Sequence, residues 1–310
     1  MRTSPHPFTL RQLQYVMAVA ELRHFRKAAE ACAVSQPSLS SQLGELEESL
    51  GVRLFERDRR RVLVTAAGEE LVARARKLLL EADDLVDAAK RAGDPFAGTL
   101  RVGVIPTISP YLLPAAVPVL RKRFPRLTLH WTEDKTEVLV ASLAEGRLDA
   151  ALLALEADIG DVERDVIARD PFVLATPRKH PLGKADVPVG TRELRGTSFL
   201  LLDDGHCFRE QALAFCSTAR ASEMGFRATS LPTLAQMVAA GAGVTLLPEL
   251  AVATEARRSD LQVRPLGDPA PYRTIALVWR KGSPLAAALP EVAGAVREAY
   301  PAAVPTKKRR

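Results

Sequence analysis

The stretch GHCFREQALAFC, from Gly205 to Cys216, holds two of the three cysteines in the chain. A histidine stands before the first cysteine and an arginine two positions after it. Thiols in such company suit redox exchange, metal ligation, or plain apolar packing. A structural zinc takes four ligands, and only His206, Cys207 and Cys216 are near in sequence, so metal ligation is the weakest of the three. Arg209 to Phe215 has helical propensity, with Phe208 and Ala212 one turn apart. In one continuous helix the two cysteine Cα atoms lie roughly 13 Å apart at ~1.5 Å per residue, on opposite sides. A disulfide needs them about 4.4–6.8 Å apart. The pair is therefore either irrelevant to redox or part of a two-state segment that is rebuilt when the bond forms. A helix start beside His206 and Arg209 favours a thiolate at Cys207, and a helix end disfavours one at Cys216. That asymmetry makes Cys207 the attacker and Cys216 the resolver, with the core and metal alternatives still open.

The surroundings bear on the choice. The chain has 310 residues, 47% hydrophobic, 26% charged and 5% aromatic, which suits a globular protein of two domains. No apolar run approaches the ~18 residues of a spanning helix, so no membrane is expected. The start, MRTSPHPFTLRQLQ, lacks a signal-peptide core, so a cytoplasmic and reducing location is expected, where permanent disulfides are rare. The formal net charge is +6, but Lys307, Lys308, Arg309 and Arg310 carry four of those charges in a basic tail, 302–310, expected to be disordered. Nucleic-acid binding must therefore be argued from a local patch.

The first ninety residues supply one. Leu10, Leu13, Val16, Met17 and Ala20 recur at helical spacing. Phe25, Ala28, Ala29 and Cys32 share a face of a second helix, and Cys32 reads as core packing. Ser35 is a suitable N-cap, Pro37 fits a first turn, and Leu39, Leu43, Leu46 and Leu50 form a stripe ended by Gly51. Two short helices about a tight turn make a helix-turn-helix, with Ser35, Gln36, Pro37, Ser38, Ser41 and Gln42 at the end that meets DNA. From Arg53 to Arg61 five arginines face one Glu and one Asp, ahead of an alternating RVLVT. This predicts a hairpin wing in which Arg57 and Arg60 meet phosphates. Residues 66–92 predict a long helix whose stripe (Leu71, Ala75, Leu78, Leu79, Ala82, Leu85, Ala89) calls for a coiled-coil partner.

Beyond Pro95 and Gly98 the pattern changes to strands alternating with helices: TLRVGVI, LTLHWTE, TEVLVASLAEG, DAALLAL. This predicts a parallel α/β arrangement, with ligands bound outside the carboxyl ends of its strands. Thr107 and Thr136 fall at such ends, and Thr136 also reads as a plain N-cap. PFVLATP (171–177) and TSFLLLDDG (197–205) open a second lobe. RTIALVWR (273–280) and a helix from Pro284 to Tyr300 return to the first.

The stretch FRKAAEACAVSQPSLSSQLGELEESLGVRLFERDRRRVLVTAAG resembles the DNA-binding domain of LysR-type transcriptional regulators. LLDDGHCFREQALAFC, with GVIPTISPYLLPA before it and FRATSLPTLAQMVAAGAGVTLLPELAV after, resembles the hydrogen-peroxide-sensing members of that family. The likeness runs from about Leu10 to Tyr300. It implies a winged helix-turn-helix over 1–65, a linker helix over 66–93, and a two-lobed α/β effector domain over 94–301, similar to periplasmic substrate-binding proteins. Lobe I is expected at about 94–169 and 273–301, lobe II at about 170–272. It further implies that Cys207 reacts with peroxide and bonds to Cys216, that Thr107, Thr136 and His206 hold the peroxide, and that Arg273 is a cationic neighbour of Cys207. The family pattern carries an aspartate where this chain has Glu210, which bears on rate more than mechanism. The implied partners are double-stranded promoter DNA, further copies of the chain as a dimer of dimers, RNA polymerase, and a reductant such as glutaredoxin or thioredoxin. No cofactor is expected, and the protein is not expected to be an enzyme. Two rivals remain: a LysR-type regulator with an organic inducer, and a thiol peroxidase.

Overall fold

The computed structural model describes residues 6–57, 62–91, 94, 96–184 and 187–301, with backbone only at 57, 87, 88, 90 and 91. The wing tip, with Arg60, and the 302–310 tail lie outside the described residues. Contacts divide the chain into two compact units, 1–89 and 90–310.

The first unit opens with helices α1 (Leu10–Leu22), α2 (Phe25–Ala31) and α3 (Gln36–Leu50). Each begins where the chain supplies a cap. Thr9 and Gln12 form a reciprocal capping box, and Ser35 Oγ accepts from the Ser38 N–H at 3.3 Å. Gly51, in the left-handed region at φ +69°, ends α3. Val16, Val19, Ala28, Leu39, Leu43 and Leu46 close over a core, with Cys32 packed at its edge. Leu10, by contrast, is half exposed. Strands β1 (Phe55–Arg57) and β2 (Val62–Val64) pair antiparallel as the wing. Helix α4 (Ala66–Arg91) follows, and its start lies tight against the wing. A Cβ on Gly68 would stand 2.3 Å from the Leu54 carbonyl oxygen, so only glycine fits there. Farther along α4, Leu85 is 72% exposed.

The second unit alternates strands and helices. These are β3 (Gly98–Val104), α5 (Ser109–Arg123), β4 (Leu127–Glu133), α6 (Thr136–Ala144), β5 (Ala150–Ala154) and β6 (Val162–Pro177). Then come β7 (Ser198–Leu202), α7 (Cys207–Ala219), β8 (Ser222–Ala228), α8 (Leu231–Ala239), β9 (Thr245–Pro248), α9 (Glu249–Ser259), β10 (Leu261–Pro265), β11 (Tyr272–Arg280) and α10 (Leu289–Ala299). The sheet runs β10-β6-β11-β5-β3-β4, with β9 also on β6, and β7 and β8 pair separately.

The expected parallel arrangement holds for β3, β4 and β5 but does not extend across the whole sheet. β3 is parallel to β4 and β5, and β7 to β8, but β11 enters antiparallel between β5 and β6. β9 and β10 also run antiparallel to β6. The returning strand crosses from the second lobe to the first, so it meets its neighbours head to tail. β6 begins at Val162, nine residues before the expected PFVLATP. Its first half exposes Glu163 and Arg164 and half-buries Asp165, which hides a strand from an apolar pattern. The expected lobe limit at 169–170 falls inside this one strand. α10 starts at Leu289, after a turn-rich 284–288, and α9 was not anticipated as a separate helix.

Candidate functional site

Helix α7 starts at Cys207, directly after a glycine turn, with His206 at its N-cap. Phe208, Ala212, Phe215 and Ala219 face the core, and Phe208 meets Phe172 edge to face at 4.8 Å between ring centres. Both cysteines of α7 are buried and unbonded. The standing helix therefore keeps their Cα atoms roughly 13 Å apart.

Thr107, Thr136, His206 and Cys207 come together around a narrow, closed pocket, which Ile105, Pro106, Lys135 and Gly205 complete. Thr107 follows the carboxyl end of β3, and Thr136 opens α6 after β4. The N-cap of α6 is Lys135, so the plain N-cap reading of Thr136 fails. Thr136 Oγ1 is buried without a hydrogen-bond partner, although it faces the Cys207 thiol closely enough to favour the thiolate. Arg273, on β11, is fully buried against Asp170 of β6, with Nε 2.9 Å and Nη2 2.8 Å from its Oδ2. Arg273 Nη1 donates to Thr107 Oγ1 at 2.7 Å and Nη2 to the Thr107 carbonyl at 3.0 Å. The Thr107 hydroxyl oxygen thus accepts from Arg273, and its own hydrogen stays free to donate.

Burial opposes the acidity expected of Cys207. It pushes the thiol up; the Arg273 guanidinium is the main opposing influence, and Glu156 adds to the rise. The two cations that favoured a thiolate in sequence are spent elsewhere. His206 is held below its ordinary value, first by burial and then by the charge of Lys135. Arg209 Nε donates to Asp204 at 2.8 Å, and its Nη1 and Nη2 donate to Glu223 at 2.8 and 3.1 Å. Arg227 bonds the same Asp204 and Glu223, so four charges clasp the first turn of α7 to β7 and β8. Cys216 is pushed up to about 11, by burial first and Glu223 second.

A thiol held protonated by the fold weakens the fold as pH rises, because the unfolded thiol releases its proton first. Reduced protein is accordingly expected to lose stability between pH 9.0, the ordinary thiol value, and about 11. Part of that loss should vanish in Cys216→Ser. Urea midpoints across that range test this, and an identical pH slope in the variant would refute it.

Several participants were missed in sequence. Lys135, Asp170, Glu156 and Gln211 all lie around Cys207 or its partners, and both Glu156 oxygens accept from the Thr274 N–H. Gln211, one turn after Cys207, donates to Glu156 at 3.5 Å and keeps a buried, unpaired Oε1. Only Gln211 carried a local signal, its one-turn spacing from Cys207. The others come from distant strands and loops. Among the described residues no three His, Cys, Asp or Glu side chains gather as metal ligands. No helix among them is long and apolar enough to cross a membrane.

In the first unit, Ser35, Gln36, Pro37 and Ser38 are exposed together at the start of α3. Ser41 and Gln42 are both engaged by Glu45, at 3.1 and 2.9 Å. Arg57 closes β1, and its side chain is not among the described residues.

Residues 10–69 match the family model of the bacterial regulatory helix-turn-helix protein, lysR family, and residues 93–301 that of the LysR substrate binding domain. The chain is 46% identical over 290 residues to the hydrogen peroxide-inducible genes activator of Dickeya chrysanthemi, covering 93% of this chain and 95% of that one. A full-length OxyR variant from Pseudomonas aeruginosa matches with a TM-score of 0.74 at 37% identity, over 94% of this chain and 96% of the other. The chain belongs to the OxyR family of LysR-type regulators. Another OxyR structure, a hydrogen-peroxide-bound mutant from Corynebacterium glutamicum, matches with a TM-score of 0.64 at 35% identity, over 96% and 95% of the two chains. An OxyR-family chain is a DNA-binding transcriptional regulator rather than an enzyme. Its two-lobed α/β effector domain here carries the cysteines.

Proposed function

We propose that this OxyR-family regulator detects hydrogen peroxide at Cys207 and stores the signal as a reversible disulfide with Cys216. The observation that carries the reading is a buried thiol walling a narrow closed pocket with two threonines and a histidine, while a second buried thiol stands at the far end of the same helix. The Cys207 thiolate attacks one peroxide oxygen. An S–O bond forms, the O–O bond breaks, and the leaving oxygen departs as water after taking a proton. Thr107, whose hydroxyl hydrogen is free, and neutral His206 supply donors for that oxygen, and Thr136 adds a third. Arg273 favours the negative charge wherever it lies along the transfer. The Cys216 sulfur then attacks the sulfenic sulfur, and a second water leaves. A thioredoxin- or glutaredoxin-type dithiol returns the pair to thiols in a reducing cytoplasm.

The pocket beside Cys207 is closed in the reduced fold, which speaks against an organic inducer resting there, because ligand sites are open clefts that enclose most of the ligand. The need to rebuild α7 speaks against a peroxidase turning over rapidly. Residues 1–65 would bind promoter DNA, with Gln36 and Ser38 at bases and Arg57 and Arg60 at phosphates. Residues 66–93 would pair copies, since Leu78 and Leu85 lie exposed along α4. The effector domains would assemble those pairs as a dimer of dimers, and RNA polymerase would read the result.

The test is peroxide treatment followed by mass spectrometry. Wild type should gain the Cys207–Cys216 bond. Cys216→Ser should instead accumulate a sulfenic acid on Cys207 that a dimedone-type reagent labels. Cys207→Ser should consume peroxide at no more than the background rate of an exposed thiol. A Cys207→Ser protein reacting at the wild-type rate would overturn the assignment.

A further inference from the structure

The pocket around Cys207 has walls that cannot give and one that can. Thr107 is fixed by two bonds from buried Arg273. Thr136 opens α6, and His206 caps α7. Among the lining residues only Lys135 is long and flexible. It is half-buried, and its Nζ donates to the Asp204 carbonyl at 2.6 Å, reaching from the β4–α6 loop to the β7–α7 loop. Its stem lies on Gly205, where a Cβ would stand 2.9 Å from Cδ and 3.2 Å from Nζ. Gly205, at φ +85°, is held in a conformation that favours glycine, so the contact is built rather than casual.

We infer that Lys135 is a specificity-determining residue, the gate that limits by size which peroxides reach Cys207. The inference rests on the reading of Cys207 as the peroxide-reacting thiol. For any hydroperoxide ROOH, the thiolate takes the terminal oxygen, forming Cys207–SOH. The O–O bond breaks, and RO⁻ leaves with a proton as water or alcohol. Sulfur loses two electrons and the peroxide gains them, so the chemistry itself does not discriminate between R groups. Discrimination falls to the room available for R. With Lys135 strapped to Asp204 the pocket is closed; a slight loosening of the stem admits hydrogen peroxide, whereas a branched alkyl group needs the stem out of the way.

A pocket separates substrates by about 10–200-fold for one methylene. The test therefore compares rates of Cys207 oxidation by hydrogen peroxide and by tert-butyl hydroperoxide in the full-length protein. In Lys135→Ala the rate with tert-butyl hydroperoxide relative to hydrogen peroxide should rise at least about tenfold over wild type. Lys135→Arg, which keeps both the length and a donor for the Asp204 carbonyl, should keep the ratio close to wild type. Lys135→Gln, a milder truncation, should give a smaller rise and serves if the alanine variant unfolds. A ratio unchanged in both shortened variants, in protein that still reacts with hydrogen peroxide, overturns the gate alone. Wild-type protein whose Cys207 is untouched by hydrogen peroxide overturns the sensing reading and the gate with it.

Discussion

In the fully oxidised protein, amide hydrogens of residues 207–219 should exchange about a hundredfold faster than in the reduced protein, while the 10–50 helices keep their protection. The argument is one of reach. A bond between Cys207 and Cys216 requires Cα atoms within about 6.8 Å. An intact α7 holds them roughly twice that distance apart. The helix must therefore open, and opening strips Phe208 from Phe172 and Phe215 from the core. Each large apolar side chain released costs about 1.5–3 kcal/mol. It also tears the clasp of Asp204, Arg209, Glu223 and Arg227, in which the Arg209 side chain is buried. A loss of roughly 3 kcal/mol of local protection corresponds to a hundredfold in exchange. Hydrogen exchange read by mass spectrometry on peroxide-treated and dithiol-treated protein tests this. A quantitative disulfide with unchanged protection over 207–219 would sink the two-state account.

A comparably large effect is expected from Arg273→Met. The guanidinium and the Asp170 carboxylate are both fully buried. Removing one leaves the other charged in the core, with the Leu250 N–H at 2.9 Å and the Tyr300 hydroxyl as its remaining partners. Breaking such a pair from one side costs about 3–5 kcal/mol, out of a total stability near 5–15. The double variant Asp170→Asn with Arg273→Met should recover at least half of that loss, since no unpaired charge remains. Urea midpoints with unchanged m-values decide it. In the double variant the Cys207 thiol should also titrate higher than in wild type, because its main opposing cation is gone. A midpoint in the single variant within the error of wild type would show that Arg273 does not hold Asp170.

What the sequence disclosed follows range of interaction. Caps, stripes and turns are local, so α1 to α3 with the Ser35 cap, the wing strands and α7 between its two cysteines were legible. The placement of Thr107 and Thr136 at strand ends followed from alternation alone, and the structure brings both to one pocket with His206 and Cys207. The electrostatics were not legible. Cys207 looked acidified beside His206 and Arg209, yet Glu223 lies fourteen residues beyond Arg209 and its claim on that guanidinium leaves no trace in local pattern. Asp170 is 103 residues from Arg273, and nothing in its neighbours announces the pair. The direction of the returning strand was not legible for a similar reason. β5 and β11 look alike as apolar runs, and only the path of the chain between the lobes decides that they run opposite ways.

Strand β6 carries a broader consequence. Its 16 residues are laddered to β11 over 162–171 and to β9 and β10 over 172–177, so one backbone serves both lobes. A clamshell that swallows a ligand must fold about its waist, and here the waist is a continuously bonded spine. Little is left for occupancy to do: a molecule resting between the lobes can draw them together only by bending that spine. Such a receptor is poorly built to weigh how much ligand is present at a given instant. The disulfide proposed above would make it well built to remember that an event took place, because a covalent bond within the α7 segment would persist after the stimulus has gone, until an electron donor erased it. Its output would then track the balance of two rates, writing and erasing, rather than an affinity.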